Sequence, residues 1–134
     1  MKRIILSSIF LIIFSLFSNS QTKNFKALYI NVFSDGAKSG WIDSNVIVNW
    51  KLSESKIYID SNEQQIIEYT YEKTLVEKDF KNYYFKGKDK HNNKISILFS
   101  VCNSGEYFLT IYHTDYYYSY FLMLLEDNEE SKQL

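Results

Sequence analysis

The chain has 134 residues, of which 46% are hydrophobic and 18% are aromatic, and its 15 basic side chains nearly balance 16 acidic ones. This length is enough for one domain, and the apolar content is too high for a disordered linker. The single cysteine excludes a disulfide framework within the chain, and the lack of proline excludes a collagen-like rod.

Residues 1–20 differ in composition from the rest and predict a secretory signal peptide. Two basic residues open the segment, and an acid-free apolar stretch follows over residues 4–17. Ser18 and Ser20 supply the small side chains that signal peptidase requires, so cleavage is expected before Gln21. A retained membrane anchor is the alternative, but the stretch is shorter than the roughly 20 apolar residues that span a bilayer.

The charge after cleavage limits the classes of partner. Loss of the two basic leader residues leaves 13 basic against 16 acidic side chains. Such a balance gives no attraction to nucleic acid or to anionic lipid. Because Cys102 lies far from the leader, a lipoprotein anchor is not expected. We therefore expect a secreted or periplasmic protein with no stable membrane anchor.

Apolar and polar residues alternate with a period of two through most of the chain, which is the pattern of half-buried β-strands. The predicted strands cover residues 26–34, 42–52, 57–59, 67–76, 83–85, 95–101, 107–111 and 116–125. A polar loop is expected over residues 87–93, and residues 126–134 read as an acidic, solvated tail.

Eight short strands joined by tight polar turns predict an all-β fold with one antiparallel meander over residues 21–125. No segment is available for the helical crossover that parallel strands would need. Closure of the meander into an up-and-down barrel would remove both exposed edges. A strongly curved open sheet is the alternative.

Tyrosine is the residue whose use departs most from average, with 12 in the chain and four between residues 116 and 120. A tyrosine ring has an apolar body and a polar tip, so a row of such rings can stack on a sugar or hold an apolar ligand. The alternative is that the rings pack within the sheet as cross-strand pairs. The predicted ligand-binding residues are Trp50, Tyr69, Tyr71, Phe99, Tyr116, Tyr118 and Tyr120.

No motif predicts catalysis or a metal site. The chain lacks a Gly-x-Ser-x-Gly elbow, and His113 with Asp115 has no identifiable third group. His91, Cys102 and His113 stand too far apart to suggest zinc ligands. We therefore expect neither enzymatic activity nor a cofactor.

The leader and the Tyr-, Asn- and Lys-rich meander resemble small exported β-rich proteins of Bacteroidota. The meander is also similar to calycin-type barrels such as the lipocalins, and this resemblance implies a ligand held inside a barrel. The lipocalin Gly-x-Trp signature is not met, because Gly40 and Trp41 are adjacent and follow a strand rather than precede it. No binding residues of that family can therefore be transferred to this chain.

These observations predict a non-enzymatic protein that binds a small apolar or aromatic ligand. The alternative is a protein-interaction module at the cell envelope. Such a module would use an open edge strand or the tyrosine row of Tyr116, Tyr118 and Tyr120.

The leader generates a direct prediction about the exported protein. N-terminal sequencing of protein recovered from the envelope or the medium should find Gln21 as the first residue, either free or as pyroglutamate. An intact Met1 chain in the membrane fraction would instead support a retained anchor.

Overall fold

The computed structural model describes residues 22–125, which form one nine-stranded antiparallel sheet. The predicted signal helix and acidic tail lie outside the described residues. Within residues 22–125, no helix is long and apolar enough to span a membrane.

Each strand pairs with its neighbours through antiparallel ladders, which confirms the predicted all-β class and meander. A 3-10 turn, Leu52–Glu54, joins two of the strands. The strands are β1 (Thr22–Ser34), β2 (Ala37–Lys38), β3 (Ile42–Lys51), β4 (Lys56–Asp60), β5 (Gln65–Val76), β6 (Phe80–Lys88), β7 (Lys94–Cys102), β8 (Tyr107–Tyr112) and β9 (Tyr116–Leu124).

The first and last long strands pair with each other and close the sheet. Their register runs from Phe25 opposite Leu124 to Ser34 opposite Tyr116. Eight strands therefore form a closed barrel, and the open curved sheet is excluded. Closure satisfies the backbone groups that would otherwise line two free edges. The two-residue β2 is an extra strand that pairs only with the end of β1.

The glycine at position 87 corrects the predicted loop boundary. The sequence placed Gly87 at the start of a loop, whereas it lies within β6 opposite Tyr69 and Ile95. The turn that follows is shorter and begins at Asp89. A glycine is used here because the strands approach closely: a Cβ at this position would lie 2.5 Å from the Glu68 carbonyl oxygen.

The barrel interior is built around a cluster of aromatic rings. The Trp50 ring is 2% exposed and packs edge-on against Phe99 at 5.0 Å and Phe85 at 5.6 Å between ring centroids. Phe99 also contacts Phe25 at 5.9 Å. Aromatic pairs in edge-to-face geometry stabilise a core beyond the area that they bury. Aliphatic side chains from the same inward rows complete the core.

Replacing Gly87 with alanine should lower stability. Gly-to-Ala changes in strands usually stabilise by restricting the unfolded chain, but the new methyl group would clash with the Glu68 carbonyl oxygen and lie 3.1 Å from Ile97 Cδ1. We expect the free energy of unfolding in urea to fall by about 1–3 kcal/mol. Lys88→Ala, at an exposed neighbouring position, should change it by less than about 0.5 kcal/mol. A Gly87→Ala protein as stable as wild type would contradict the expected clash with the Glu68 carbonyl oxygen.

Candidate ligand site

A cavity of about 400 Å³ opens at one end of the barrel, which we call the mouth. Three hairpin loops meet there, because β4, β6 and β8 end at the same side from which β5, β7 and β9 begin. The cavity is lined by Ser61, Asn62, Glu63, Gln65, Asp89, Lys90, His91, His113, Tyr116 and Tyr118.

Asp89 organises the loop between β6 and β7. Its Oδ1 accepts hydrogen bonds from the backbone N–H groups of His91 and Asn93, each at 2.9 Å, and its Oδ2 accepts one from Asn93 Nδ2 at 3.1 Å. Burial acts to raise the pKa of Asp89, but the hydrogen bonds from Asn93 and His91 outweigh it and lower the pKa below its ordinary value. The mouth therefore carries a fixed negative charge at neutral pH.

Lys90, in the loop between β6 and β7, contacts the loop between β4 and β5 at the mouth. Its Nζ lies 3.2 Å from Glu63 Oε1 and donates to the Gln64 carbonyl oxygen at 3.0 Å. An exposed ion pair of this kind contributes little to stability, but it places opposite charges side by side. Lys90 and Glu63 therefore offset each other, and the Asp89 carboxylate determines the sign of charge at the mouth.

Three rings stack on the wall of the cavity. The His113 imidazole lies 4.5 Å from the Tyr116 ring with 10° between the planes, and 5.5 Å from the Tyr118 ring with 29° between the planes. Tyr116 is 42% exposed, whereas Tyr118 is 7% exposed. The stack therefore runs from solvent at Tyr116 into the floor of the cavity at Tyr118.

Hydrogen bonds fix the innermost ring of this stack. The Tyr118 hydroxyl donates to Gln65 Oε1 at 2.5 Å and lies 3.5 Å from His113 Nε2. Burial and the neighbouring Tyr120 and Tyr116 raise the pKa of the Tyr118 phenol far above its ordinary value. Burial lowers the pKa of His113, and the Asp89 charge opposes this only partly. Both groups are therefore neutral at physiological pH.

The structure separates the predicted ligand-binding residues into two groups. Tyr116, Tyr118 and Tyr120 share the inward face of β9, as their spacing predicts, but only Tyr116 is well exposed. Tyr120 is 2% exposed and packs edge-on against Tyr118 at 5.3 Å. The tyrosine row thus passes from the mouth into the core.

The other predicted residues lie deeper in the barrel. Trp50 Nε1 donates to the Tyr69 hydroxyl at 2.7 Å, and Phe85 bridges the rings of Tyr69 and Tyr71 at 5.0 and 5.9 Å. Phe99 packs against Trp50 in the same cluster. Four residues separate Tyr69 from the mouth end of β5, about 13 Å along a strand. Trp50 and Phe99 therefore belong to the aromatic core, and the half-buried Tyr69 and Tyr71 pack against it. None of these four residues lines the mouth.

Sequence reasoning missed the polar half of the site. It did not single out Asp89 or Gln65. An aspartate followed by turn residues can signal a side chain that accepts hydrogen bonds from the backbone two residues on, so Asp89 could have been found. His113, which the sequence paired with Asp115, instead contacts the rings of Tyr116 and Tyr118.

Neither the cysteine nor the acidic residues form a metal centre in the described part of the chain. Cys102 is a free, half-buried thiol beside Ser104, whose hydroxyl lies 3.1 Å from its Sγ. Among residues 22–125, no three His, Cys, Asp or Glu side chains converge on a point where a metal ion could bind.

Comparisons with protein-family models, with curated proteins and with solved structures gave no match to this chain.

The surroundings of His113 predict how it titrates. We expect its pKa in the folded protein to lie below 6.5, because burial disfavours the imidazolium. The unfolded chain then binds more protons at mildly acidic pH, so the free energy of unfolding should fall as the pH drops below about 6.5. An NMR titration of the imidazole Cε1–H resonance measures this pKa.

His91→Gln serves as the assignment control, because His91 and His113 are the two histidines of the chain. His113→Gln should flatten the pH dependence of the unfolding midpoint between pH 5 and 7. The pKa of Asp89 is lowered, so protonation of Asp89 changes the free energy of unfolding only at more acidic pH. A His113 pKa above 6.5 would contradict the geometry.

Proposed function

We propose that this protein is a non-enzymatic binding protein that holds a small aromatic ligand at the mouth of the barrel. One observation carries the proposal: a stack of three rings lies beside an ionised carboxylate around a cavity of about 400 Å³. Small-molecule sites are typically concave, of this size, and lined by rings with a few fixed polar groups.

The ring stack favours an aromatic ligand. One face of the Tyr116 ring is covered by His113, and the ring is still 42% exposed. A planar ligand can extend the stack or pack edge-on against it, and either arrangement is favourable for aromatic rings. The polar side chains of Asn62 and Gln65 line the same cavity and can hydrogen-bond to substituents on the ligand.

The charges at the mouth favour a neutral or positively charged ligand. Asp89 is ionised, the charge of Lys90 is offset by Glu63, and His113 is neutral at pH 7. A cation is further attracted to the faces of tyrosine rings. We therefore assign the site to an aromatic amine in preference to an aromatic acid.

The position of the ligand differs from the one that the lipocalin resemblance implies. The interior rings of Trp50, Phe85 and Phe99 contact one another, and an interior ligand would have to separate them. A ligand at the mouth needs no such rearrangement. The predicted leader supports export, so the protein would meet its ligand outside the cytoplasm.

The alternative of an interaction module gains less support from the tyrosine row. Of the three tyrosines on the inward face, Tyr118 and Tyr120 are 7% and 2% exposed, so a partner could reach only Tyr116 among them. Closure of the barrel also pairs β1 with β9, the strands that would be the free edges of an open sheet.

Tryptamine and indole-3-acetate share one ring system and carry opposite charges, so they test the proposal directly. Isothermal titration calorimetry should show that tryptamine binds more tightly than indole-3-acetate. Tyr116→Ala should weaken tryptamine binding by about threefold to tenfold, the equivalent of one aromatic contact. Asp89→Asn should weaken binding of tryptamine but not of neutral 3-methylindole.

Tyr84→Ala is the matched control, because Tyr84 lies on β6 outside the residues that line the mouth. It should leave tryptamine binding unchanged. The proposal would be refuted if millimolar tryptamine gave no heat of binding. It would also be refuted if Tyr84→Ala and Tyr116→Ala lowered the affinity for tryptamine equally.

A further inference from the structure

The outer surface of β1, β9 and β8 carries six aromatic side chains in two bands. The central band consists of Tyr29, Phe121 and Phe108, which are cross-strand neighbours in register. The mouth band lies four residues away along each strand, about 13 Å. It consists of Phe33, Tyr117 and Tyr112.

These rings point away from the core. On β9 the inward residues are Tyr118, Tyr120 and Leu122, so the alternating residues Tyr117 and Phe121 face outward. Two of the six rings are well exposed, Tyr29 at 40% and Tyr112 at 38%, and the other four are half-buried. Trp41 widens the face, with its ring 6.3 Å from that of Phe108 and 48% of its surface exposed.

A row of small polar residues, the middle row, separates the two bands. It consists of Asn31, Ser119 and Thr110, and the hydroxyls of Ser119 and Thr110 are 2.9 Å apart. Asn31 is 8% exposed, and its Oδ1 is buried without a hydrogen-bond partner among the described residues. The middle row is therefore largely covered within one copy, with Thr110 also 8% exposed, and the rings on either side form the accessible surface.

The two bands present different parts of their rings to solvent. Phe33 and Tyr117 stack across the strands at 4.3 Å with 13° between planes, so their edges point outward. The central band is tilted, with 63° between Tyr29 and Phe121 and 51° between Phe121 and Phe108, which leaves ring faces partly open. Edge and face are complementary, because an aromatic ring is positive at its rim and negative on its face.

We propose that this face binds a second copy of the chain in a two-fold symmetric dimer. A two-fold axis along the middle row would place the mouth band of each copy on the central band of the other. The ring edges of Phe33 and Tyr117 would then meet the rings of the central band, and each contact would occur twice. The small side chains of the middle row lie along this axis and leave the contact to the rings on either side of it.

Charge favours a second copy over other occupants. None of the nine residues in the two bands and the middle row is charged, so the face offers nothing to pair with an acidic peptide or a nucleic acid. A charged face would repel its own copy, whereas this one does not. By contrast, the outer surfaces of β5 and β6 carry exposed charges such as Glu68, Lys81 and Lys86.

The size of the face is consistent with a reversible dimer. Three strands and the rings at their margins span about 20 by 25 Å. Because the outside of a closed barrel is convex, about 500 Å² is the most that each copy could bury. A dimer would therefore bury at most about 1,000 Å² in total, at the lower limit for specific interfaces. We expect a dissociation constant in the micromolar range.

Sedimentation velocity on protein purified after expression of the full chain tests this directly. Wild type should show a reversible monomer–dimer equilibrium between about 1 and 100 µM. Tyr29→Lys and Tyr112→Lys should each raise the dissociation constant at least tenfold, because each buries an unpaired charge in the interface. Val76→Lys, at an apolar position on β5 that is 66% exposed, should leave it unchanged.

A mixed-variant experiment tests the axis itself. The proposed axis places Tyr29 opposite Phe33 of the other copy, so Tyr29→Lys mixed with Phe33→Glu should form heterodimers more tightly than either variant forms homodimers. Circular dichroism confirms that each variant is folded. A wild type that stays monomeric at 100 µM, or a dimer as tight in Tyr29→Lys as in Val76→Lys, would overturn the proposal. Monomers that instead sediment with phosphatidylcholine vesicles would overturn it in favour of a lipid surface.

Discussion

The ladder between β1 and β9 is the contact on which the rest of the structure depends. It joins residues from opposite ends of the described chain, such as Phe25 and Leu124. Until it forms, the sheet has two free edges and the inward rings are only partly covered. Contacts between residues so distant in sequence are slow to form, because the entropy of closing the intervening chain must be lost first. The mouth and the outer aromatic face both include β9, so neither is complete before closure.

The alternation along β9 gives the two faces of one strand different roles. Tyr118 and Tyr120 point inward, where burial makes their phenols very weak acids. Tyr117 and Phe121 point outward and contact Phe33 and Tyr29 on β1. A single-residue shift in register would exchange these two sets. The hydrogen bond from Tyr118 to Gln65 on β5 is one contact that is consistent with only one register.

The sequence predicts the strands well because apolar and polar residues alternate along them. The same period of two determines which residues share a face. It also places Tyr116, Tyr118 and Tyr120 on one face. It does not show which face of β9 is inward, because both faces are aromatic. Gly87 was misplaced since glycine usually marks a turn, and its close approach to the Glu68 carbonyl is visible only once β5 and β6 pair. The mouth depends on contacts such as Lys90 with Glu63, which join loops that are distant in sequence.

Closure also determines where the chain enters and leaves the barrel. The Leu125 N–H donates to the Asn24 carbonyl oxygen at 2.9 Å, so the two ends of the described chain lie side by side. Both lie at the end of the barrel opposite the mouth, where β1 begins and β9 ends. A short peptide could link these ends, which makes the domain a good candidate for circular permutation. A molecule tethered to a solid support through either terminus would present its cavity toward the surrounding solution.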